Sequence, residues 1–149
     1  MTPQGEAKGI KFTIDSRLGH IGLVGLAVQA ICSYVGLNDV EAFQIQLCVV
    51  EAVTNVVKHA YGAQAGHEVI LAVSLHPEEI SFHIMDTGKT MNPLSREPLE
   101  FDPTNLATIP ERGQGLHIIQ TVMDEVDYQT IDGTNILSLT KYLRKVRPE

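Results

Sequence analysis

Three short segments of this 149-residue chain carry side chains whose types and spacing suit chemistry. The first is Glu51-Ala52-Val53-Thr54-Asn55, continuing through Lys58-His59-Ala60-Tyr61-Gly62. Glu51 and Asn55 are four residues apart, so on a helix they share one face a turn from each other. Lys58 extends that stripe and His59 lies beside it. The surrounding positions are mostly apolar, and a carboxylate and an amide are costly to bury unpaired. Such an oxygen pair suits a hard cation such as Mg²⁺, or a water or hydroxyl to be activated. The plainer alternative is a solvent-facing helix edge decorated by a Glu–Lys pair, and this segment alone does not decide between them.

The second segment is Ile84-Met85-Asp86-Thr87-Gly88-Lys89, an apolar run that ends in a carboxylate and a glycine. A carboxylate at a strand end can accept a hydrogen bond from an exocyclic amine, and a glycine lets a flat ring approach the backbone. Taken alone, Asp-Thr-Gly equally well ends a strand with a turn. The third is Glu111-Arg112-Gly113-Gln114-Gly115-Leu116, a glycine pair that opens an apolar helical pattern. Amides at a helix N-terminus and the helix dipole favour phosphate there. The pair lacks the strand and third glycine of a dinucleotide-binding fingerprint, and it lacks the Gly-Lys-Ser/Thr of a P-loop.

Something must bring these segments together. Ile10, Phe12 and Ile14 alternate as a strand. Asp15 and Ser16 are candidate caps for a helix whose apolar residues run from Leu18 to Val35, with Gly36 as its stop. Glycines at 19, 22 and 25 would allow close packing against a neighbour. Asn38 and Glu41 form a capping-box pattern ahead of a long helix reaching about Tyr61. That helix has two apolar faces, one with Val40, Phe43, Leu47 and Val50 and one with Ile45, Val49, Val53 and Val56. It is therefore expected to be largely buried. Val69 to Leu75 and Ile80 to Ile84 read as a hairpin about Pro77-Glu78-Glu79. Thr87 to Arg112 reads as a long loop of the kind that carries function. A helix from Gly113 to Met123 follows, then a strand pair turning at Asp132-Gly133. Residues 1–8 and 144–149 read as tails around one domain spanning 9–143. The order implies an α+β sandwich with one mixed or antiparallel sheet, covered on one face by helices.

The bulk properties narrow the partner. A net charge of −7 argues against a nucleic-acid groove or an anionic membrane surface. It leaves room for a phosphate held by backbone amides, and makes a protein the expected macromolecular partner. No run of 18 or more apolar residues is present, so no spanning helix is expected. The first residues lack the pattern of a secretory signal. Cys32 and Cys48 fall in apolar helical patterns without metal spacing, which implies reduced buried thiols and a cytoplasmic setting. The histidines at 20, 67, 76, 83 and 117 show no metal spacing either.

In this order the three segments resemble the N, G1 and G2 boxes of the Bergerat ATP-binding fold shared by gyrases and histidine kinases. With Met123-Asp124-Glu125-Val126 they resemble most closely the anti-sigma-factor serine/threonine kinases of bacteria. The resemblance runs from about Ile10 to Leu143 and implies a two-layer sandwich with a mixed sheet. It implies that Asn55 ligands Mg²⁺ bridging the ATP phosphates, and that Glu51 is the general base for a substrate serine or threonine. It further implies that Asp86 binds the adenine amino group with Gly88 beside the ring, and that the amides of Gly113 and Gly115 touch phosphate. The 87–112 loop would be a lid. Phosphoryl transfer needs mainly positioning and charge neutralisation, which such a set supplies. One departure stands out: where many relatives have a second glycine, this chain has Thr90. Lys89 reads as an exposed loop residue, and His59 as a packing or supporting residue. Thr134 lies near a position where the fold often places an adenine-contacting threonine.

The function so implied is a protein serine/threonine kinase that sequesters a sigma factor in one state and phosphorylates an anti-sigma-factor antagonist in the other. A catalytically weak nucleotide-binding module that only sequesters its partner is the alternative. A detached histidine-kinase-type ATPase domain ranks below both. The family often forms a homodimer, for which exposed apolar residues on the first helix would be the surface.

Overall fold

A computed structural model describes residues 8–62, 64–90 and 111–143, the side chains of 111–116 excepted. In chain order these form β1 (Lys8–Asp15), a 3-10 turn (Leu18–His20), α1 (Ile21–Tyr34), α2 (Asp39–Tyr61), β2 (Glu68–Leu75) and β3 (Glu79–Asp86). Then come α3 (Glu111–Val122), β4 (Glu125–Ile131) and β5 (Thr134–Tyr142). Most of the expected loop, residues 91–110, and the expected tails apart from Lys8 lie outside the described residues. Lys8 itself already belongs to β1.

The five strands make one sheet in the order β1-β2-β3-β5-β4, and every neighbouring pair is antiparallel. Of the two arrangements the sequence left open, the pairing is thus antiparallel among the described strands. Hairpins with tight turns account for the β2–β3 and β4–β5 pairs: the His76 N–H donates to Glu79 O at 2.9 Å, closing the β2–β3 turn. Asp132 and Gly133 both take positive φ, 50° and 80°, which matches the twist of the β4–β5 hairpin. Alternation sends Val69, Leu71 and Val73, Ile80, Phe82 and Ile84, and Leu137 and Leu139 to the buried face. Ile45, Val49, Val53 and Val57 of α2 join the same core.

Asn38 caps α2 as expected. Its Oδ1 accepts from the Glu41 N–H at 2.8 Å, and the Asn38 N–H donates back to Glu41 Oε1 at 3.4 Å. Gly62, at φ 59°, ends the helix in the left-handed region. Asp15 and Ser16 do not cap a helix. The Ser16 hydroxyl donates to Gln64 O and accepts from the His67 N–H, while Asp15 Oδ1 accepts from the Gly66 N–H at 3.4 Å. These partners across the sheet outcompete the local capping geometry. Of the glycines at 19, 22 and 25, only Gly25 makes a close approach: a Cβ there would lie 2.8 Å from Val50 Cγ2, whereas Gly19, in the 3-10 turn, and Gly22 face open space.

The α2 helix is less buried than its two apolar faces imply. Val40, Phe43 and Leu47 are exposed, as are Leu23, Leu26 and Tyr34 of α1. By length and mean hydropathy (1.3 over its most apolar window) α2 is long and apolar enough to cross a membrane, a test that a core helix also passes. Here 44% of that window is buried inside the fold, between α1 and α3 and above β3.

Candidate functional site

The C-terminal half of α2 runs past the end of β3, and three contacts fix the two together. The Lys89 N–H donates to Ala60 O at 3.1 Å. Tyr61 Oη accepts from the Thr87 N–H and donates to Glu68 O, both at 3.0 Å, while its ring stacks on His67 with centroids 4.4 Å apart. Gly88 sits against Ala60 and the Tyr61 ring, where a side chain would collide. The glycine is therefore needed for helix packing, whatever else approaches it.

Between these elements lies a small cavity of about 20 Å³, open to solvent on one side. The α2 helix contributes Asn55, Val56, His59 and Ala60 to its walls, the end of β3 contributes Asp86 and Lys89, and β4 contributes Tyr128. One wall thus offers an amide and an imidazole, and the other a carboxylate and a lysine. Asp86 is 5% exposed, so its carboxylate needs partners. Oδ1 has two: the Gly88 N–H at 3.0 Å and Asn135 Nδ2 at 2.9 Å. Oδ2 takes part in neither bond.

Asn135 is a residue that sequence patterning does not single out. It faces Asp86 across the β3–β5 ladder and is fully buried. A signal is present all the same: Asn135 shares its strand phase with Leu137 and Leu139, and an amide in a core phase demands partners. Thr90, the residue that stands in place of a glycine, donates its hydroxyl to Asn135 Oδ1 at 2.9 Å. Tyr128 likewise shows in the sequence only as part of a strand. Lys89 is exposed, as expected, but it also lines the cavity.

Asn55 and Asp86 therefore meet at one cavity. Glu51 is half-buried on α2 one turn before Asn55 and is not among the lining residues. Gly113 and Gly115 lie in the opening turns of α3, which starts at Glu111 and packs on α2. Among the described residues no three His, Cys, Asp or Glu side chains gather as metal ligands. Met123-Asp124-Glu125-Val126 forms the joint between α3 and β4. There the Tyr142 N–H donates to Asp124 Oδ2 at 2.7 Å, and Lys141 Nζ donates to Val122 O at 3.0 Å.

Residues 14–141 match the histidine kinase-like ATPase domain family. Among curated proteins the chain is similar to the serine-protein kinase RsbW of Bacillus cereus, 25% identical over 143 residues that cover 94% of this chain and 88% of that protein. It is as similar to the serine-protein kinase RsbW of Bacillus thuringiensis subsp. konkukian, again 25% identical over 94% of this chain and 88% of that one. Among solved structures it resembles the RsbU and RsbW domains of a Mycobacterium tuberculosis protein, with a TM-score of 0.64 at 16% identity. That likeness covers 94% of this chain but only 34% of the larger one.

Proposed function

The chain belongs to the histidine kinase-like ATPase domain family, and we propose that it is an ATP-dependent protein serine/threonine kinase that acts as an anti-sigma factor. The observation that carries this reading is the meeting of Asn55 and Asp86 on facing walls of one cavity between α2 and the end of β3. The similarity to serine-protein kinases RsbW supports the phosphoryl-transfer chemistry and the bacterial regulatory setting.

The donor set fits a nucleotide. Asp86 Oδ2, outside the bonds that hold Oδ1, would accept from the adenine amino group. The Asn55 side-chain oxygen would ligand Mg²⁺ together with phosphate oxygens. Bound Mg²⁺ supplies charge neutralisation at the phosphates. The Gly113 amide, in the first turn of α3, would meet phosphate, and Gly115, in the next turn, would leave room for it. Glu51 would accept the proton of a substrate serine or threonine hydroxyl.

In the cell this domain, spanning residues 9–143, would sequester a sigma factor and phosphorylate the antagonist that releases it, in the cytoplasm. The nucleotide would bias which partner is held, the logic of any two-state switch. The exposed Leu23 and Leu26 of α1 would be the surface for a homodimer. A second reading is a partner-sequestering module of weak catalytic power. It is favoured by Thr90 in place of glycine and by the absence of Glu51 from the cavity wall.

Calorimetric titration with an ATP analogue plus Mg²⁺, on the intact protein, Asp86→Asn and Asn55→Ala, tests the site. Magnesium-dependent binding that is lost in both variants supports it. No binding by the intact protein sinks both readings. Transfer of labelled phosphate from ATP to a protein serine then separates kinase from module.

A further inference from the structure

Asn135 uses its whole hydrogen-bonding capacity. Nδ2 donates to Asp86 Oδ1 at 2.9 Å and to Gly88 O at 3.2 Å. Oδ1 accepts from Thr90 Oγ1 at 2.9 Å and Thr130 Oγ1 at 2.8 Å. The neighbours dictate the amide's orientation. A carboxylate oxygen and a carbonyl can only accept, so they require Nδ2, while the two hydroxyls satisfy Oδ1 by donating. A flipped amide would set its oxygen against the Asp86 carboxylate, with Asn135 itself wholly shielded from water.

We infer that Asn135 is a positioning residue for base recognition: by holding Asp86 Oδ1, it presents Oδ2 alone to the exocyclic amine of adenine. The inference rests on the reading of Asp86 as the adenine-binding carboxylate. A carboxylate free to rotate about its side chain would offer either oxygen and would have to be ordered at each binding event. Two bonds on Oδ1 remove that freedom before the ligand arrives, which strengthens the remaining contact. The two threonines act one step further out. Thr90 and Thr130 pin Oδ1 of the amide, so Nδ2 cannot turn away from Asp86. Thr90 thus has a stated role at a position where a glycine would leave the amide half-held.

The test compares the dissociation constants of ATP and of purine riboside triphosphate, which lacks the amino group, in the presence of Mg²⁺. The proteins are the intact chain, Asn135→Leu, and the double variant Thr90→Val with Thr130→Val. The intact protein is expected to prefer ATP by at least about tenfold. Asn135→Leu is expected to cut that preference to about twofold, with the affinity for purine riboside triphosphate changed by less than about threefold. A residue that only filled the core would weaken both nucleotides alike and leave their ratio intact. The double variant, altered at exposed threonines, is expected to fall between the two and decides the matter should Asn135→Leu fail to fold. A ratio unchanged from the intact protein, in whichever of these variants folds, overturns the inference while Asp86 keeps its role. No preference in the intact protein overturns the reading of Asp86 and this inference with it.

Discussion

Gly88 lies so close to Ala60 that no side chain fits between them: a Cβ on Gly88 would sit 2.5 Å from Ala60 O and 2.8 Å from Ala60 Cβ. The next residue, Lys89, hydrogen-bonds that same Ala60 carbonyl at 3.1 Å. The end of β3 and the last turn of α2 therefore share one contact, and the cavity between Asn55 and Asp86 depends on it.

Gly88→Ala should force the strand end away from the helix. Neither the backbone carbonyl nor the Tyr61 ring can give way cheaply, so the cost is of the overpacking kind, about 1–3 kcal/mol. Thermal unfolding should show the lower stability, and nucleotide titration should show weaker binding. A variant as stable as the parent would mean that α2 and the strand end are less tightly joined than described.

Glu51→Gln separates binding from transfer. Glu51 stands one turn from Asn55 and off the cavity wall, so neutralising it should leave affinity for ATP and Mg²⁺ within about threefold while phosphoryl transfer falls by about 10²–10⁴-fold. Equal loss in both assays would make Glu51 a nucleotide-site residue. Unchanged transfer would remove it from the chemistry.

The two thiols should be silent in the native state. Burial pushes Cys32 up to about 12, and Cys48 also to about 12 despite the opposing charge of Lys141. A thiolate is the reactive form, so a thiol-directed disulfide reagent at pH 8 should react only as fast as the chain opens. The sign follows from linkage. With the native thiols above their ordinary value of 9.0, their contribution to stability is whole below that value and falls as pH rises from there toward about 12. Fast labelling at pH 8 without unfolding would show that one of these thiols is accessible.

Much of this architecture is legible in the sequence because it is local. The Asn38–Glu41 capping box, the Asp132-Gly133 turn and the strand alternation of Val69 to Leu75 each depend on a few neighbouring residues. The features that local patterns miss are decided by residues distant in sequence. Asp15 and Ser16 have the right chemistry for caps, but the 64–67 segment claims them. Val40, Phe43 and Leu47 are as apolar as Ile45 and Val49, and only the placement of α1, α3 and the sheet decides which face is covered. At the site, Asn55 and Asp86 announce themselves by standing out of apolar runs. Asn135 does not, because its meaning comes from a carboxylate 49 residues away. Its core-phase position beside Leu137 is the one available clue.

Acid should expose the role of His83. This ring lies on the sheet face opposite the helices, with Nδ1 2.9 Å from Ser138 Oγ across the β3–β5 ladder. Desolvation by burial, and then the nearby His76, hold its pKa below the ordinary 6.5. The unfolded chain therefore takes up a proton at a pH where the native state does not. The resulting stability is present above 6.5 and is lost as pH falls through the lowered native value. Urea midpoints at pH 7.5 and pH 5.5 should show a larger acid loss for the intact protein than for His83→Gln, which keeps a polar group opposite Ser138 but does not titrate. Because His76 acts on His83, the same pair is compared in a His76→Gln background, where the difference isolates His83. Equal losses would mean that His83 titrates alike in the folded and unfolded chain, and that its burial against Ser138 carries no pH-dependent stability.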